Sequence, residues 1–313
     1  MMRAPRLNAP SSSESILDHV GQTPLVPLRR VFAGEVSSRV EIWAKLEAFN
    51  PSGSVKARAA LNIILEAEQT GQLQPGGTLL DASSGNTGIA YAMIAAARGY
   101  RLKLCLPANA NLERKQILKA YGVELIITSP LEGSDGAIHK ARALAAENPD
   151  WFYCDQYSND ANWQAHFKHT GPEIWTKLGS RITHFVAGLG TSGTFMGVSR
   201  FLKSQNPKIS CCSVEPDSPF HGLEGLKHME TALVPGIYDP TIADEQLEAP
   251  TEESFELVQK LAATEGILVG PSCAAALWGV RHVARQLEQG VIVTVFPDSG
   301  ERYLSDSHIW EPQ

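Results

Sequence analysis

From about residue 54 onwards, the sequence alternates between short apolar runs rich in β-branched residues and longer stretches with helical periodicity. The runs predicted to be strands are, in chain order, TLLDA, RLKLCLP, VELIIT, WFYC, THFVAG, ISCCSVE and VIVTVF. Strands that alternate with helices of about 10–15 residues form crossover units, and crossover units build parallel sheets. The predicted fold class is therefore α/β, with mostly parallel twisted sheets flanked by helices. Residues 216–250 show little periodicity and are predicted to be rich in loops.

The length of 313 residues and the hydrophobic share of 43 % favour about two domains with ordinary cores. The 27 basic and 34 acidic residues give a net charge of −7 without a basic block, so no nucleic-acid partner is expected. The longest apolar run, Ile89 to Ala97, is too short to span a membrane and is predicted to be a buried helix. The N-terminal residues lack a secretory signal and the five cysteines form no C-x-x-C pair. We therefore expect a cytoplasmic protein without disulfides or a metal site.

Ligands of open α/β sheets bind at the carboxyl ends of strands, so the turns after the strands are the candidate sites. The turn after THFVAG is rich in glycine and hydroxyl residues, namely Gly190, Thr191, Ser192, Gly193 and Thr194. Free N–H groups, hydroxyls and a helix dipole would hold an anion there, and the absence of Lys and Arg favours a monophosphate over a nucleoside triphosphate. An ordinary helix cap with packing glycines is the alternative interpretation.

Two further turns and one lysine are candidates for chemistry. Ser83, Ser84, Asn86 and Thr87 follow the strand TLLDA, and could either clasp a carboxylate or cap a helix. The segment GPSC, which contains Ser272, leads directly into another helix. Lys56 follows NPSGSV in the first turn of an apolar helix, where a positive charge is electrostatically unfavourable. A surface position is the usual explanation for any single lysine.

Taken together, NPSGSVK, SGNTG, GTSGT and TGPEIW resemble the cysteine synthase family of fold type II pyridoxal 5′-phosphate (PLP) enzymes, and most closely its B-type members. The likeness runs from Gly21 to Ser305. It implies that PLP is the cofactor and that Lys56 holds it as a Schiff base. It also implies that Asn86 hydrogen-bonds the 3′-oxygen of PLP, that Ser272 faces the pyridine nitrogen, and that residues 190–194 bind the phosphate.

The resemblance further implies that the substrate carboxylate is bound by Ser83, Ser84, Thr87 and Gln156. A smaller mobile domain, residues 48–153, would carry this carboxylate loop. A larger domain, residues 1–47 plus 154–313, would bind the PLP phosphate. The family likeness also predicts a homodimer whose other partners are small molecules, an amino acid and a sulfur donor.

The function implied is β-replacement on O-acetyl-L-serine or O-phospho-L-serine by sulfide or thiosulfate. It would form L-cysteine or S-sulfocysteine by ping-pong kinetics through an aminoacrylate. Lys227 lies in a segment that, in B-type enzymes that use O-phosphoserine, carries an arginine for the phosphate. A lysine keeps the charge but lacks the bidentate fork, which favours O-acetylserine.

Other reactions of the same fold remain open, namely cystathionine or cyanoalanine formation and serine dehydration. A PLP-binding regulatory protein with weak catalysis also remains open. The feature that favours this regulatory alternative is the pair Cys273-Ala274, where the family usually has Ser/Thr-Gly.

Overall fold

The computed structural model describes residues 15–83 and 85–310. Its strands are β1 (Leu25–Leu28), β2 (Val40–Leu46), β3 (Thr78–Ala82), β4 (Arg101–Pro107), β5 (Glu124–Thr128), β6 (Trp151–Tyr153), β7 (His184–Gly188), β8 (Ser210–Pro216), β9 (Glu245–Ala249) and β10 (Gly290–Phe296). Its α-helices are α1 (Lys56–Gln69), α2 (Asn86–Arg98), α3 (Leu112–Ala120), α4 (Gly133–Glu147), α5 (Ala161–Ala165), α6 (Gly171–Leu178), α7 (Gly193–Gln205), α8 (Thr251–Glu265), α9 (Pro271–Arg285) and α10 (Ser307–Trp310).

The strands form two sheets. The larger has six strands in the order β1-β2-β10-β7-β8-β9, and the smaller has four in the order β5-β4-β3-β6. Only the β1–β2 pair is antiparallel among the strand pairs of the described residues. The predicted α/β class with mostly parallel, helix-flanked sheets is therefore confirmed. The smaller sheet is built entirely from residues between 48 and 153.

All seven predicted strands are present, but three further strands were not predicted. β1 and β2 precede the alternating region, and β9 lies within the segment predicted to be loop-rich. β9 reads EQLEA, and only its leucine and final alanine are buried, because it lies at the edge of the sheet. Its hydrogen bonds come from β8 rather than from a hydrophobic pattern of its own, so the sequence carried little signal for it.

Helix α2 shows how burial follows from the sequence. Every residue from Thr87 to Ala95 is buried, and the helix ends at Gly99, whose φ of 75° is in the left-handed region. The apolar run Ile89–Ala97 is thus a helix packed inside the smaller unit, as predicted, although its last two alanines are exposed. Within residues 15–83 and 85–310, the helices lack either the length or the apolarity that crossing a membrane requires.

Residues 161–178 do not form one continuous α-helix. α5 and α6 are joined by a π-helical turn at His166–Thr170. Helix α7 packs closely against this turn, since a Cβ atom on Gly197 would lie 2.1 Å from the carbonyl oxygen of Trp163 and 2.6 Å from Cβ of His166. The turn therefore brings the His166 imidazole to the start of α7, next to the glycine- and hydroxyl-rich loop.

Candidate active site

A cavity of about 570 Å³ lies where the carboxyl ends of strands from both sheets meet the N-termini of α1, α2, α7 and α9. Its lining includes nearly all of the site residues predicted from the sequence, which are Lys56, Ser83, Asn86, Thr87, Gln156, Gly190, Thr191, Ser192, Gly193, Thr194 and Ser272. Ser84 lies outside the described residues. Residues as distant in sequence as Lys56 and Ser272 are thus gathered around one space.

Lys56 is the first residue of α1, and the start of this helix is fixed to the end of β10. The Val55 N–H donates to the carbonyl of Pro297 (2.8 Å), and the Lys56 N–H donates to Ser54 Oγ (3.4 Å). Burial lowers the pKa of the Lys56 ammonium, while the nearby Asp298 carboxylate opposes that shift. The amine therefore loses its proton more readily than an exposed lysine does, which a nucleophile or a base requires.

The loop from Gly190 to Thr194 joins β7 to α7 and directs the N-terminus of that helix into the cavity. A Cβ atom would lie 2.2 Å from the Gly225 carbonyl oxygen if added to Gly190, and 2.0 Å from Asn162 Oδ1 if added to Gly193. Both positions therefore exclude any side chain. Ser192, at φ 66°, caps the helix, and its buried hydroxyl has no hydrogen-bond partner among the described residues. An unpaired buried hydroxyl beside free helix N–H groups fits a bound phosphate.

His166, which the sequence analysis did not single out, lies behind this loop. Its Nε2 is 3.3 Å from Thr194 Oγ1, and its Nδ1 is 3.0 Å from Thr170 Oγ1. Burial, together with the charges of Arg58 and Lys56, lowers the pKa of His166 well below its ordinary value. The imidazole is therefore neutral at pH 7. Its only sequence signal was its position four residues before Thr170 of the TGPEIW motif.

The opposite wall of the cavity carries hydroxyl and amide groups. Thr87 Oγ1 donates to Gln156 Oε1 (2.7 Å), and Gln156 Nε2 donates to the Ala82 carbonyl (3.0 Å). Ser83 Oγ accepts from the N–H groups of Gly85 (3.2 Å) and Gly88 (3.0 Å). Ser83 thus accepts from an N–H in the first turn of α2 and also lines the cavity.

Asn86 is held between two charged residues that follow β10. Its Nδ2 donates to Asp298 Oδ2 (2.6 Å), and its Oδ1 accepts from Arg302. An amide nitrogen has two hydrogens, so one donor of Asn86 remains for a ligand.

Asp298 is buried and also accepts from Tyr303 Oη (2.6 Å). Burial raises its pKa, and the two hydrogen bonds oppose the shift. Asp298 follows a predicted strand, and ligands of open α/β sheets bind at the carboxyl ends of strands. The sequence could therefore have identified Asp298 as a candidate.

Ser272 is buried and lines the cavity as the second residue of α9. The N-cap of α9 is Gly270, so Ser272 lies within the first turn of this helix and does not cap it. The adjacent Cys273 is fully buried, with its Sγ 3.4 Å from the Asp298 carbonyl oxygen. Burial raises the pKa of this thiol well above its ordinary value, so it stays protonated. Cys273 is thus part of the packing behind the cavity.

Two ion pairs lie at the side of the cavity nearest α3 and α4. Lys227 Nζ is 3.2 Å from Asp135 Oδ1, and Arg114 is paired with Glu224. Both cations line the cavity, and each acid belongs to the other side of the cleft from its cation.

The cavity thus places a loop that fits a phosphate beside a buried lysine. The chain belongs to the family of pyridoxal-phosphate dependent enzymes, whose sequence model matches residues 16–298.

Several relatives of the chain are cysteine synthases. The chain is 51 % identical to the cysteine synthase of Aquifex aeolicus over 297 residues, which cover 93 % of this chain and 91 % of that protein. It is 43 % identical to cysteine synthase B of Salmonella typhimurium over 286 residues, covering 91 % and 93 %. A crystal structure of the Entamoeba histolytica cysteine synthase matches with a TM-score of 0.90 at 33 % identity, covering 100 % of this chain and 94 % of that one.

The predicted family, cofactor and enzyme class are therefore confirmed. The chain is a member of the cysteine synthase family with the fold type II architecture, it uses pyridoxal phosphate, and it is a transferase that makes cysteine.

Proposed function

We propose that this enzyme replaces the acetyl ester of O-acetyl-L-serine by sulfide to form L-cysteine. The observation that carries the proposal is the grouping within one cavity of the Lys56 amine, the anion-binding loop 190–194 and the clamp of Ser83, Thr87 and Gln156. Pyridoxal phosphate with a bound amino acid carries a phosphate, a carboxylate and an acidic Cα–H, and this cavity offers a separate partner for each.

The cofactor would be held by groups on three sides of the cavity. The loop 190–194 would bind the phosphate through helix N–H groups and the unpaired Ser192 hydroxyl. The remaining Asn86 donor would bind the 3′-oxygen, and Ser272 would face the pyridine nitrogen. Pyridoxal phosphate, when bound, supplies the electron sink that makes the Cα proton of an amino acid acidic and its β-substituent a leaving group.

Lys56 would first bind the cofactor covalently and then act on the substrate as a base. Burial lowers its pKa, so Lys56 gives up its proton more readily than an exposed lysine, which suits a base. Nζ would take the proton from Cα while the Cβ–O bond breaks and acetate leaves with the electron pair. After the sulfide sulfur bonds to Cβ, the same nitrogen would return a proton to Cα. Acetate leaves before sulfide adds, which gives ping-pong kinetics.

The substrate carboxylate would be bound by the N-terminal end of α2. The hydroxyls of Ser83 and Thr87 and the amide of Gln156 supply donors there, and the resemblance adds Ser84 to this set. The helix dipole favours a negative charge at the same place. Binding the carboxylate fixes the orientation of Cα towards Lys56.

The choice of O-acetylserine over O-phosphoserine rests on Lys227. A lysine lacks the planar fork with which arginine binds a phosphate, and Lys227 already donates to Asp135. An uncharged acetyl ester needs no free cation. Sulfide is proposed over thiosulfate because thiosulfate is a dianion and Lys227 is already paired with Asp135.

The experiment is a steady-state assay of the purified enzyme with O-acetyl-L-serine and sulfide, with the product identified by mass spectrometry. We expect L-cysteine and ping-pong kinetics. Lys56→Ala should lower kcat by at least about 10³-fold, because general acid–base catalysis alone contributes about 10²–10⁴-fold. Lys119→Ala is the matched control, because this lysine is exposed on α3 and should retain full activity.

The same assay discriminates the other reactions of the fold. Cystathionine from homocysteine, cyanoalanine from cyanide, or pyruvate from serine as the main product would replace the proposal by that reaction. Binding of pyridoxal phosphate without turnover of any of these substrates would instead support a regulatory protein.

A further inference from the structure

Two cations line the cavity, and each is paired with an acid from the other part of the chain. Lys227 and Glu224 lie in the long loop after β8, whereas Asp135 lies in α4 and Arg114 in α3. The pairs Lys227–Asp135 and Arg114–Glu224 therefore both join the part of the chain that carries the four-stranded sheet to the part that carries the six-stranded sheet.

The Lys227–Asp135 pair is held in place from both ends. The Lys227 N–H donates to the Leu189 carbonyl (2.9 Å), directly before the anion-binding loop, and its ammonium lies 5.0 Å from the ring centroid of Tyr157. Asp135 Oδ2 accepts from the Leu233 N–H (3.3 Å) while Oδ1 faces Lys227. The Lys227 side chain is 9 % exposed and that of Asp135 is 35 % exposed, so solvent screens this pair only in part.

Arg114 is likewise buried and paired with an acid. Its side chain is 6 % exposed, and its guanidinium lies 5.2 Å from the ring centroid of Tyr303 and is paired with Glu224. Its buried Nε has no hydrogen-bond partner among residues 15–83 and 85–310. Arg114 thus has capacity for an acceptor group in the cavity, but its charge is already balanced.

We propose that Asp135 and Glu224 are specificity-determining residues that cancel the charges of Lys227 and Arg114, so that the site accepts an uncharged β-substituent and discriminates against a dianionic phosphate ester. This proposal rests on the proposed β-replacement reaction at the same cavity. A phosphate that approaches Lys227 meets the Asp135 carboxylate, which accepts a hydrogen bond from the Leu233 N–H and is 35 % exposed. Like charges repel at such short range, and an opposing charge built into a site discriminates against the wrong ligand.

The principal test is Asp135→Asn, which removes the charge and keeps the shape and the acceptor for the Leu233 N–H. We expect the ratio of kcat/KM for O-phospho-L-serine to that for O-acetyl-L-serine to rise at least about tenfold, because Lys227 gains an unopposed charge. Asp150→Asn changes the net charge equally at an exposed site and should leave the ratio within about twofold of the wild-type ratio. An unchanged or lower ratio in Asp135→Asn would overturn the proposal.

Glu224→Gln provides an independent second variant if Asp135→Asn does not fold. It should raise the same ratio by releasing Arg114, whereas Glu230→Gln, an exposed neighbour in the same loop, should not. A Glu224→Gln enzyme that folds and keeps the wild-type ratio would count against the role of Glu224.

Binding can be measured without turnover. The phosphonate L-2-amino-4-phosphonobutyrate has the shape of O-phosphoserine but carries a methylene in place of the ester oxygen, so it has no leaving group at Cβ. Titration calorimetry on the holoenzyme should give at least about tenfold tighter binding to Asp135→Asn than to wild type or Asp150→Asn. Equal affinities would overturn the proposal. If no amino acid is turned over, the proposed function fails, and this measurement still decides whether Asp135 excludes a phosphate.

Discussion

At the scale of single residues, the site places a buried lysine next to a buried aspartate. Burial lowers the pKa of Lys56 and raises that of Asp298, and the charge of each residue opposes the shift of the other. Asp298 also holds Asn86 through a 2.6 Å hydrogen bond. A single buried carboxylate thus links the lysine, the amide proposed to bind the cofactor and the end of β10.

Ser272 gives a test of the electrostatics at the pyridine nitrogen. Ser272→Ala should keep pyridoxal phosphate bound, because loop 190–194, Lys56 and Asn86 remain. Ser272→Asp should protonate the ring nitrogen and lower kcat by about 10²-fold while the protein stays folded and yellow, since catalysis depends on preorganised electrostatics of this kind. Steady-state kinetics and the absorbance of the bound cofactor measure both effects.

The structure strengthens this test, because an aspartate at position 272 is compatible with the helix and should not unfold it. Because Gly270 is the cap, Ser272 lies inside the first turn of α9, where an aspartate is compatible with the helix dipole. Normal turnover in Ser272→Asp would remove the residue from the site.

At the scale of elements, a buried network of charges joins β2, α1 and α6 just behind Lys56. Arg58 of α1 donates to Glu47 (2.6 Å) and to Glu173 of α6 (2.6 Å), and Lys45 of β2 lies 2.7 Å from Glu173. Breaking one partner of such a network leaves a buried charge without compensation. The network therefore fixes the first turn of α1, and with it the position of Lys56.

Glu173 makes the stability of this network depend on pH. Burial alone would raise its pKa, but hydrogen bonds from Arg58 and Lys45 outweigh burial and lower the pKa to about 2. A depressed carboxylate pKa contributes stability that is present above pH 4.5 and is lost as the pH falls towards 2. The shift corresponds to about 3 kcal/mol.

We therefore expect Glu173→Gln to lower the free energy of unfolding by about 3 kcal/mol at pH 7, with the difference from wild type narrowing between pH 4.5 and pH 3. Urea unfolding at several pH values measures this. Glu230→Gln, at an exposed position, is the control and should follow the wild-type curve. A difference that is constant with pH would show that Glu173 acts through packing alone.

At the scale of the whole molecule, the cavity lies between two units. We propose that residues 48–153 form the smaller, mobile domain and that residues 1–47 with 154–313 form the larger one. One hydrogen bond and two ion pairs cross the cleft between them, namely Asn86–Asp298, Arg114–Glu224 and Lys227–Asp135. The homodimer and the cytoplasmic location remain predictions from the sequence.

An amino acid that binds the clamp near Ser83 and the cofactor near Gly190 should draw the two domains together and exclude water. L-Methionine lacks a leaving group at Cβ and is a suitable ligand. In crystal structures with and without it, the distance between the Cα atoms of Ser83 and Gly190 should differ by more than about 1 Å. Distances within each sheet are the internal control. An unchanged distance between the two loops would contradict the domain proposal.

The sequence alone determined the features that are local in the chain. Apolar periodicity predicted the alternating strands and helices, because each element buries a face or a run of its own residues. Glycine and hydroxyl residues at 190–194 and 83–88 marked the turns, because backbone N–H groups and caps act within a few residues. Lys56 was assigned through the joint resemblance of NPSGSVK and the other motifs to the cysteine synthase family, because a helix-start position alone does not distinguish it from a surface lysine.

Only the tertiary structure decided which distant groups meet. Lys227 and Asp135 are 92 residues apart in the chain, and Arg114 and Glu224 are 110 residues apart. The edge strand β9 depends on β8, and His166 reaches Thr194 only through a π-helical turn. These contacts follow from the relative placement of two packed units, and a pattern within a few residues carries no information about that placement.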